Sequence, residues 1–279
     1  MSQNITAFVK KTIMACEKLL QAPIKGILLD ISGVLKDGSQ SIPGSVEAVK
    51  SLQSAKIPFR LVTNETSRPI KTILSTLKTL GFEVTEKDLI CPVPAVIKIL
   101  KKDNLRPFLM IHPEVIPDFG DIDTSNPNCV VMGDAAECFH YKFLNECFRK
   151  LMGMKNPILF SLGQGKYFRD DDGLALDVGP FCKAIEYATG VKAIVVGKPS
   201  PQYFLDAVSE LKLQPNEVVM IGDDVVSDVG GAQNCGLRGV LVRTGKYMRE
   251  TDEPHKSVVP DGIVDNLQEA VNLILKRNS

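Results

Sequence analysis

The sequence predicts an α/β fold, in which a doubly wound parallel sheet carries an inserted α+β domain. Apolar runs of strand length alternate with helical patterns along most of the chain, an order typical of parallel sheets with helices on both faces. The middle of the chain departs from this alternation and follows a strand-helix-strand-hairpin order. At 279 residues, the chain is long enough for one large domain or two modest ones.

Five apolar runs are predicted as strands of the parallel sheet: Ile24–Asp30, Pro58–Asn64, Ala193–Gly197, Glu217–Asp223 and Gly239–Arg243. A helix of about Ser45–Ala55 links the first two strands. Ser67 is predicted to cap the next helix, which ends near Gly81. Ser200 and Pro201 begin another helix after the third strand, with Ser200 as the cap and Pro201 in the first turn.

The inserted domain is placed at residues 103–180, between core segments 23–102 and 181–279. Its predicted elements, after a short first strand, are a strand, a helix, a strand and a hairpin: Cys129–Gly133, Tyr141–Met152, Pro157–Leu162 and Lys166–Val178, with the hairpin turn at Asp172-Gly173. Residues 1–22 are predicted as a helical extension, because apolar residues recur at helical spacing over 5–20. This helix is expected to pack on its own protein; a dimer contact or a disordered extension are the alternatives.

The charge of the chain bears on its partners. Lys and Arg together number 33, as do Asp and Glu, so the net charge attracts neither nucleic acid nor an anionic membrane surface. Any affinity for phosphate must therefore come from a local site. We expect no nucleic-acid partner and no membrane partner.

Three features bear on location. No apolar run approaches the ~20 residues that a membrane-spanning helix needs. The amino-terminal stretch lacks the apolar segment and cleavage site of a secretory signal. Seven scattered cysteines fit reduced thiols better than a disulfide framework or a zinc site. We expect a cytoplasmic protein, with the nucleus as a further location.

Carboxylates follow two of the predicted strands. Asp30 ends the first apolar run, and Asp223 and Asp224 end the fourth. Because the carboxyl ends of parallel strands meet at one edge of a sheet, these acids should lie together, with Asp228 one helical turn later. Acids placed together repel one another unless a cation lies between them, and oxygen-only clusters suit Mg²⁺.

Groups that bind phosphate follow two other strands. Thr63 and Asn64 end the second strand, and Lys198 follows the third. Alone, a Thr-Asn pair is more often part of a turn, and Gly197-Lys198-Pro199 is more often a helix start. Together with a nucleophile and a metal, these groups form the set that phosphoryl transfer requires. The sequence therefore predicts a magnesium-assisted phosphoryl transfer site.

Four segments carry this chemistry: Asp30–Leu35, Thr63-Asn64, Lys198, and Gly222–Asp224 with Asp228. They resemble the haloacid-dehalogenase-type phosphatases, and the insertion between the second and third segments lies where the C2 cap class of that family carries its cap. The resemblance covers roughly residues 23–275. It implies the Rossmann-like core of that family in 23–102 and 181–279 and a C2-type cap in 103–180.

The resemblance also implies roles for the site residues. Asp30 would be the nucleophile that forms an aspartyl-phosphate, and Asp228 would orient the metal shell. Mg²⁺ would be held by the Asp30 carboxylate, the backbone carbonyl of Ser32, and Asp223. The substrate phosphate would be bound by Asp30, Ile31, Ser32, Thr63, Asn64 and Lys198. The cap would cover the site and select the substrate, and a homodimer is expected.

Ser32 departs from the family pattern. Most such phosphatases carry a second Asp at this position, which protonates the leaving group and later activates water. Because a serine hydroxyl is too weak an acid for this, and such help is typically worth about 10²–10⁴-fold, good leaving groups are favoured. Together with the resemblance, this leads us to expect a phosphohydrolase that acts on P–N bonds, in phosphohistidine or phospholysine of a small molecule or a protein, and on inorganic pyrophosphate.

Two other functions remain open. The chain could be a phosphatase for small phosphomonoesters, or a weakly active phosphate-binding regulatory protein in which Ser32 marks a lost activity. The presence of Asp30 disfavours the second, because a protein that only binds phosphate has no need of a nucleophile. Relative turnover of phosphohistidine, pyrophosphate and phosphoserine separates these functions.

Overall fold

The structure, a computed structural model, describes residues 19, 21–170 and 173–278. The described residues divide into two compact units, the first within Met1–Val62, Lys78–Val84 and Phe204–Ser279 and the second within Thr63–Leu77 and Thr85–Tyr203. The second unit is wider than the predicted insertion, and the boundaries at 103 and 180 stay a prediction. The helix predicted over residues 5–20 lies, apart from Leu19, outside the described residues.

The strands are numbered in chain order. They are β1 Gly26–Leu29, β2 Lys36–Asp37, β3 Gln40–Ser41, β4 Phe59–Val62, β5 Leu89–Ile90, β6 Pro107–Met110, β7 Cys129–Met132, β8 Leu159–Ser161, β9 Tyr167–Asp170, β10 Gly173–Leu176, β11 Ile194–Val195, β12 Val218–Gly222, β13 Arg238–Val242 and β14 Gly262–Val264.

The helices are likewise numbered in chain order. They are α1 Ser45–Ser54, α2 Ile70–Thr79, α3 Pro92–Lys102, α4 Tyr141–Gly153, α5 Val178–Thr189, α6 Pro201–Leu211, α7 Gly231–Gln233, α8 Arg249–Asp252 and α9 Leu267–Asn278. Short 3-10 turns occupy Glu86–Asp88, Pro113–Phe119, Ala136–Cys138 and Pro215–Glu217, and a π-helix spans Val225–Gly230. Within the residues that the structure describes, no helix has the length and apolar character needed to span a membrane.

Five strands of the first unit run parallel in the order β14-β13-β12-β1-β4. β1 lies between β12 and β4, with Leu29 opposite Ile221 on one side and Leu61 on the other. Every residue of β1 and β12 is buried. Continuous apolar runs of this kind are typical of strands covered on both faces, so the α/β prediction for the core is confirmed.

The second unit has its own parallel sheet, in the order β11-β8-β7-β6. β11 lies within the predicted strand Ala193–Gly197, which we expected in the sheet of Asp30. That expectation is wrong, because Ile194 pairs with Phe160 and Val195 with Ser161 of β8. The apolar run predicted a strand but gave no information about which strand would pair with it, and Ile194 is 51% exposed.

A hairpin of β9 and β10 follows in the second unit. Its strands pair antiparallel, as predicted, with Gly173 opposite Asp170 and Leu176 opposite Tyr167. Of the turn predicted at Asp172-Gly173, residue 172 lies outside the described residues.

The start of α2 differs from the prediction. Ser67 does not cap this helix, because its hydroxyl donates to Glu65 Oε1 at 2.6 Å. Instead, a carboxylate oxygen of Asp118 accepts a hydrogen bond from Ile70 N, the first amide of the helix, at 3.1 Å. A negative charge at this end also favours the helix dipole. By contrast, α6 begins at Pro201, as predicted.

Candidate active site

Three carboxylates of the first unit converge beside the carboxyl ends of β1 and β12. One oxygen from each of Asp30, Asp223 and Asp228 lies within 4.8 Å of the others, and all three residues are buried. Asp30 and Asp223 directly follow neighbouring strands, and Asp30 N donates to Ile221 O at 3.0 Å. The predicted meeting of these acids is therefore observed, while their chemical roles remain predictions.

The π-helix Val225–Gly230 places Asp228. Asp224 caps this helix, since its Oδ1 accepts hydrogen bonds from the backbone of Val226 and Ser227 at 2.9 and 2.8 Å. In return, Asp228 Oδ2 accepts from Asp224 N at 3.1 Å. Gly222 makes this possible, because a Cβ there would lie 2.1 Å from Asp228 Oδ2.

Asp223 has an asymmetric environment. Its Oδ2 accepts a hydrogen bond from Lys246 N at 2.8 Å. Its Oδ1 is buried and accepts no hydrogen bond from the residues that the structure describes. Burial raises the pKa of Asp223, and the charges of Asp30 and Asp228 raise it further. A buried carboxylate oxygen that accepts no hydrogen bond from the described residues, and lies among other carboxylates, fits a hard divalent cation, which prefers oxygen ligands.

The loop after Asp30 approaches Asp223 closely. Gly33 has φ +84°, and a Cβ there would lie 2.1 Å from Asp223 Oδ2. Glycine is therefore required at this position both by the backbone conformation and by the carboxylate. Ile31 N donates to Asp30 Oδ1 at 2.8 Å, which fixes one oxygen of that carboxylate. The side chain of Ser32 is exposed.

Lys246 is a charged neighbour that the sequence analysis missed. Its Nζ lies 2.8 Å from Asp224 Oδ2. Burial opposes a charged Lys246, but the charges of Asp224 and Asp223 outweigh it and raise the pKa of this lysine. Burial likewise opposes a charged Asp224, yet Lys246 brings the pKa of that carboxyl to about 2. The pattern that indicated Asp30 was a polar residue at the end of an apolar strand. Thr244-Gly245-Lys246 fits the same pattern, because it directly follows the predicted strand Gly239–Arg243.

The remaining predicted residues form a second group, in the second unit. Asn64 Nδ2 donates to Lys198 O at 2.8 Å, and Lys198 N donates to Asn64 Oδ1 at the same distance. Thr63 and Lys198 are each only 3% exposed. Thr63 O accepts a hydrogen bond from the Tyr203 hydroxyl at 2.8 Å. The structure thus assembles Thr63, Asn64 and Lys198 as it assembles the acids, each group within its own unit.

Gly197 allows Asn64 to reach Lys198. The φ of Gly197 is +148°, and a Cβ there would lie 2.9 Å from Asn64 Oδ1 and 2.8 Å from Leu162 O. A larger residue would push the amide away from the backbone that it holds. The glycine before the lysine therefore has a steric role that the sequence pattern alone did not reveal.

Comparison with known proteins places these groups in context. Residues 27–123 match the family model of haloacid dehalogenase-like hydrolases, and residues 195–270 match a second model, described as HAD-hydrolase-like. The two matches contain Asp30 and Asp223 respectively.

Curated relatives match nearly the whole chain. Phospholysine phosphohistidine inorganic pyrophosphate phosphatase of Danio rerio is 51% identical over 256 residues, which cover 90% of this chain and 94% of that protein. The Homo sapiens protein of the same name is 50% identical over 259 residues, covering 91% and 96%. Among solved structures, 4-nitrophenylphosphatase from Thermotoga maritima superposes with a TM-score of 0.81 at 25% identity, covering 90% of this chain and 97% of that one.

Proposed function

This chain belongs to the haloacid dehalogenase-like hydrolases, and from that premise we propose a phosphohydrolase acting on P–N bonds and inorganic pyrophosphate. The observation that carries this proposal is the identity of about half of all residues, over nine-tenths of the chain, to relatives named for phospholysine, phosphohistidine and pyrophosphate. Its substrates would be phosphorylated small molecules, or proteins that carry phosphohistidine or phospholysine.

Mg²⁺ is the proposed cofactor. Asp30, Asp223 and the backbone carbonyl of Ser32 would hold it, and Asp228 would orient these ligands. Two observations support a hard divalent cation: Asp223 Oδ1 accepts no hydrogen bond from the described residues, and all the proposed ligand atoms are oxygens. When bound, such a cation neutralises charge on the ligands and on phosphate oxygens.

Asp30 is the proposed nucleophile. One carboxylate oxygen would attack phosphorus, the bond from phosphorus to the leaving group would break, and an aspartyl-phosphate would form on Asp30. Water would then hydrolyse this acyl phosphate and release inorganic phosphate. Because Ile31 N already donates to Asp30 Oδ1, that carboxylate is held in one orientation before substrate arrives.

Phosphate binding is assigned to the second group of residues. Thr63 and Asn64 would donate to phosphate oxygens, and Lys198 would offset their negative charge, together with backbone groups of Ile31 and Ser32. Burial of Thr63 and Lys198 supports this role, because hydrogen bonds and charges act more strongly away from water.

Ser32 bears on the choice of substrate. With no carboxylic acid at this position, the leaving group must depart without a proton from that residue. A phosphorylated imidazole with a protonated ring meets this condition, and so does pyrophosphate once its leaving phosphate is protonated or neutralised. The alternative, a phosphatase for small monoesters, is supported by the 25% identical relative named 4-nitrophenylphosphatase.

A homodimer in the cytoplasm is the proposed state of the protein. The hairpin strand β10 supports self-association, because Leu174 and Leu176 are 58% and 61% exposed and alternate residues of a strand share a face. Light scattering of the purified protein would test this state. A monomer at every accessible concentration would contradict it, and Leu174→Lys with Leu176→Lys should disrupt a dimer formed through this face.

A turnover screen tests the function. Phosphate release would be measured with Mg²⁺ for phosphohistidine, pyrophosphate, phosphoserine and 4-nitrophenyl phosphate, with and without EDTA. Asp30→Asn, purified in parallel, controls for contaminating phosphatases. The proposal predicts release from the first two substrates that requires metal. Release from the monoesters alone would favour the alternative, and turnover unaffected by EDTA would contradict the proposed cofactor.

A further inference from the structure

We propose that the segment Thr244–Lys246 is a positioning element for the cation site of the first unit, which fixes Asp223 so that Oδ1 is its ligand atom. The inference rests on the proposed function, because it assumes that the acidic cluster binds a divalent cation. Thr244, Gly245 and Lys246 have no role in the mechanism proposed above.

The first contact selects one oxygen of Asp223. Lys246 N donates to Oδ2 at 2.8 Å, so this oxygen already has a donor from the protein. Oδ1 has none among the described residues, although Asp223 is only 3% exposed. Rotation of the carboxylate would break the bond from Lys246 N and place the bonded oxygen elsewhere. The segment therefore leaves a single, defined oxygen for the cation.

The second contact is steric. Gly245 has φ +63°, and a Cβ at this position would lie 2.2 Å from Asp223 Oδ2 and 2.4 Å from the Cα of Gly33. Both distances are far inside van der Waals contact, so the backbone of Gly245 packs directly between Asp223 and the loop that follows Asp30. No residue with a side chain fits there without moving one of them.

The third contact joins the segment to that loop. The Thr244 hydroxyl donates to the backbone carbonyl of Gly33. Gly33 is the residue after Ser32, whose carbonyl is a proposed cation ligand. Thr244 therefore links the end of β13 to the segment that carries two of the proposed ligands, while Lys246 N holds the third.

The side chain of Lys246 anchors the far end of the segment. Its Nζ pairs with Asp224 Oδ2 at 2.8 Å, and Asp224 also caps the helix that carries Asp228. The three residues thus contact every chain segment that contributes a carboxylate to the cluster. Groups that orient metal ligands in this way typically change metal affinity about 10–100-fold when they are lost.

Direct cation binding tests the inference without relying on catalysis. Mn²⁺ is the probe, since oxygen ligands that suit Mg²⁺ also accept Mn²⁺. The concentration of free Mn²⁺ would be measured by electron paramagnetic resonance during titration of the metal-free protein. Thr244→Val removes the hydroxyl at nearly constant volume, and Thr244→Ser restores it. Thr251→Val is the control, because the Thr251 hydroxyl also has protein acceptors, the Met248 carbonyl and the Asp252 carboxylate, and both lie outside the cluster.

We expect Thr244→Val to weaken Mn²⁺ binding by about 10-fold or more, while Thr244→Ser and Thr251→Val bind like wild type. Gly245→Ala should weaken binding at least as much. Unfolding of each metal-free variant in urea provides the check on folding. A structural role alone would lower the stability of Thr244→Val and leave its Mn²⁺ affinity unchanged.

Two results would overturn the inference, and they are distinguishable. If wild type binds Mn²⁺ and Thr244→Val binds it equally well, the segment does not position the ligands, and the proposed function stands. If wild type binds no Mn²⁺, the proposed cation site fails together with the inference. Should Gly245→Ala not fold, the Mn²⁺ affinities of Thr244→Val and Thr244→Ser still distinguish the two results.

Discussion

Asn64 and Lys198 are joined by two reciprocal hydrogen bonds, in which the asparagine amide both donates to and accepts from the lysine backbone at 2.8 Å. The two bonds resemble the pair of backbone hydrogen bonds between neighbouring β-strands, and they fix the backbone of Lys198. It requires an amide, because a carboxylate has no N–H and a hydroxyl lacks the spacing. Asn64 is therefore a positioning residue for Lys198, in addition to its proposed contact with phosphate.

Replacing Asn64 tests this relationship. Asn64→Ala removes two hydrogen bonds that each contribute about 0.5–1.5 kcal/mol, so the free energy of unfolding should fall by roughly 1–3 kcal/mol. Asn64→Asp should also be destabilising, because its carboxylate would face the Lys198 carbonyl with no donor between them. Urea unfolding and kcat/KM would be measured together. Asn145→Ala, which loses one exposed bond to Tyr141 O, should change neither by a comparable amount.

Asp30→Asn should abolish turnover while keeping the fold, because the change is nearly isosteric and the amide is a very poor nucleophile. Loss of an essential nucleophile typically costs on the order of 10⁴-fold or more in kcat. Asp37→Asn, at an exposed strand position, is the control. Rapid quenching followed by mass spectrometry should find phosphate on Asp30; phosphate trapped on another residue would contradict the assignment.

Ser32 makes the sharpest prediction about substrates. Phosphohistidine should be cleaved far faster than phosphoserine, because a serine alkoxide cannot leave without a proton donor. Ser32→Asp should narrow this gap by accelerating the alkyl monoester, by at most the roughly 10²–10⁴-fold that a well-placed acid supplies. Single-turnover rates would be compared for both substrates. Equal wild-type rates on the two, with chemistry rate-limiting, would refute the argument.

Asp223 should make the stability of the metal-free protein depend on pH. Burial and the charges of Asp30 and Asp228 raise its pKa in the folded state above the ordinary value of about 3.9. At pH values between the ordinary pKa and the raised folded-state pKa, the folded state holds more protons than the unfolded state. The free energy of unfolding therefore falls as pH rises through this window. Acidification within this window should therefore stabilise the metal-free protein.

The measurement is urea unfolding in EDTA at a series of pH values from about 5 to about 8. Asp223→Asn should flatten the dependence, whereas Asp37→Asn should leave it unchanged. Added Mg²⁺ should raise the stability of wild type most at the alkaline end, where the cluster carries its full charge. A stability that rises with pH throughout this range in EDTA would contradict the assigned direction.

Much of the acidic cluster could be predicted because its information is local. Asp30 and Asp223 directly follow apolar runs, and parallel strands with buried faces end at a common edge. Asp228 follows Asp223 closely in sequence, so its proximity needs no long-range contact. Four of the five predicted strands lie in the sheet of the first unit, at about the positions of their apolar runs.

The rest depends on contacts between distant parts of the chain. Hydrophobicity indicates that residues 193–197 are a strand, but not that Ile194 pairs with Phe160. A local capping rule selects Ser67, whereas the observed partner of the α2 amide is Asp118, far along the chain. The role of Gly245 depends on its approach to Gly33, and no pattern around either glycine specifies it.

The position of β1 between β4 and β12 also constrains how the protein is made. β4 follows soon after β1 in the chain, but β12 does not leave the ribosome until synthesis has passed Val218. At about 5–20 residues per second, the growing chain waits on the order of ten seconds or more with one edge of β1 unpaired. Exposed edges of apolar strands invite pairing with other chains. Nascent protein should therefore depend on chaperones during this interval, and chains truncated before Val218 should aggregate.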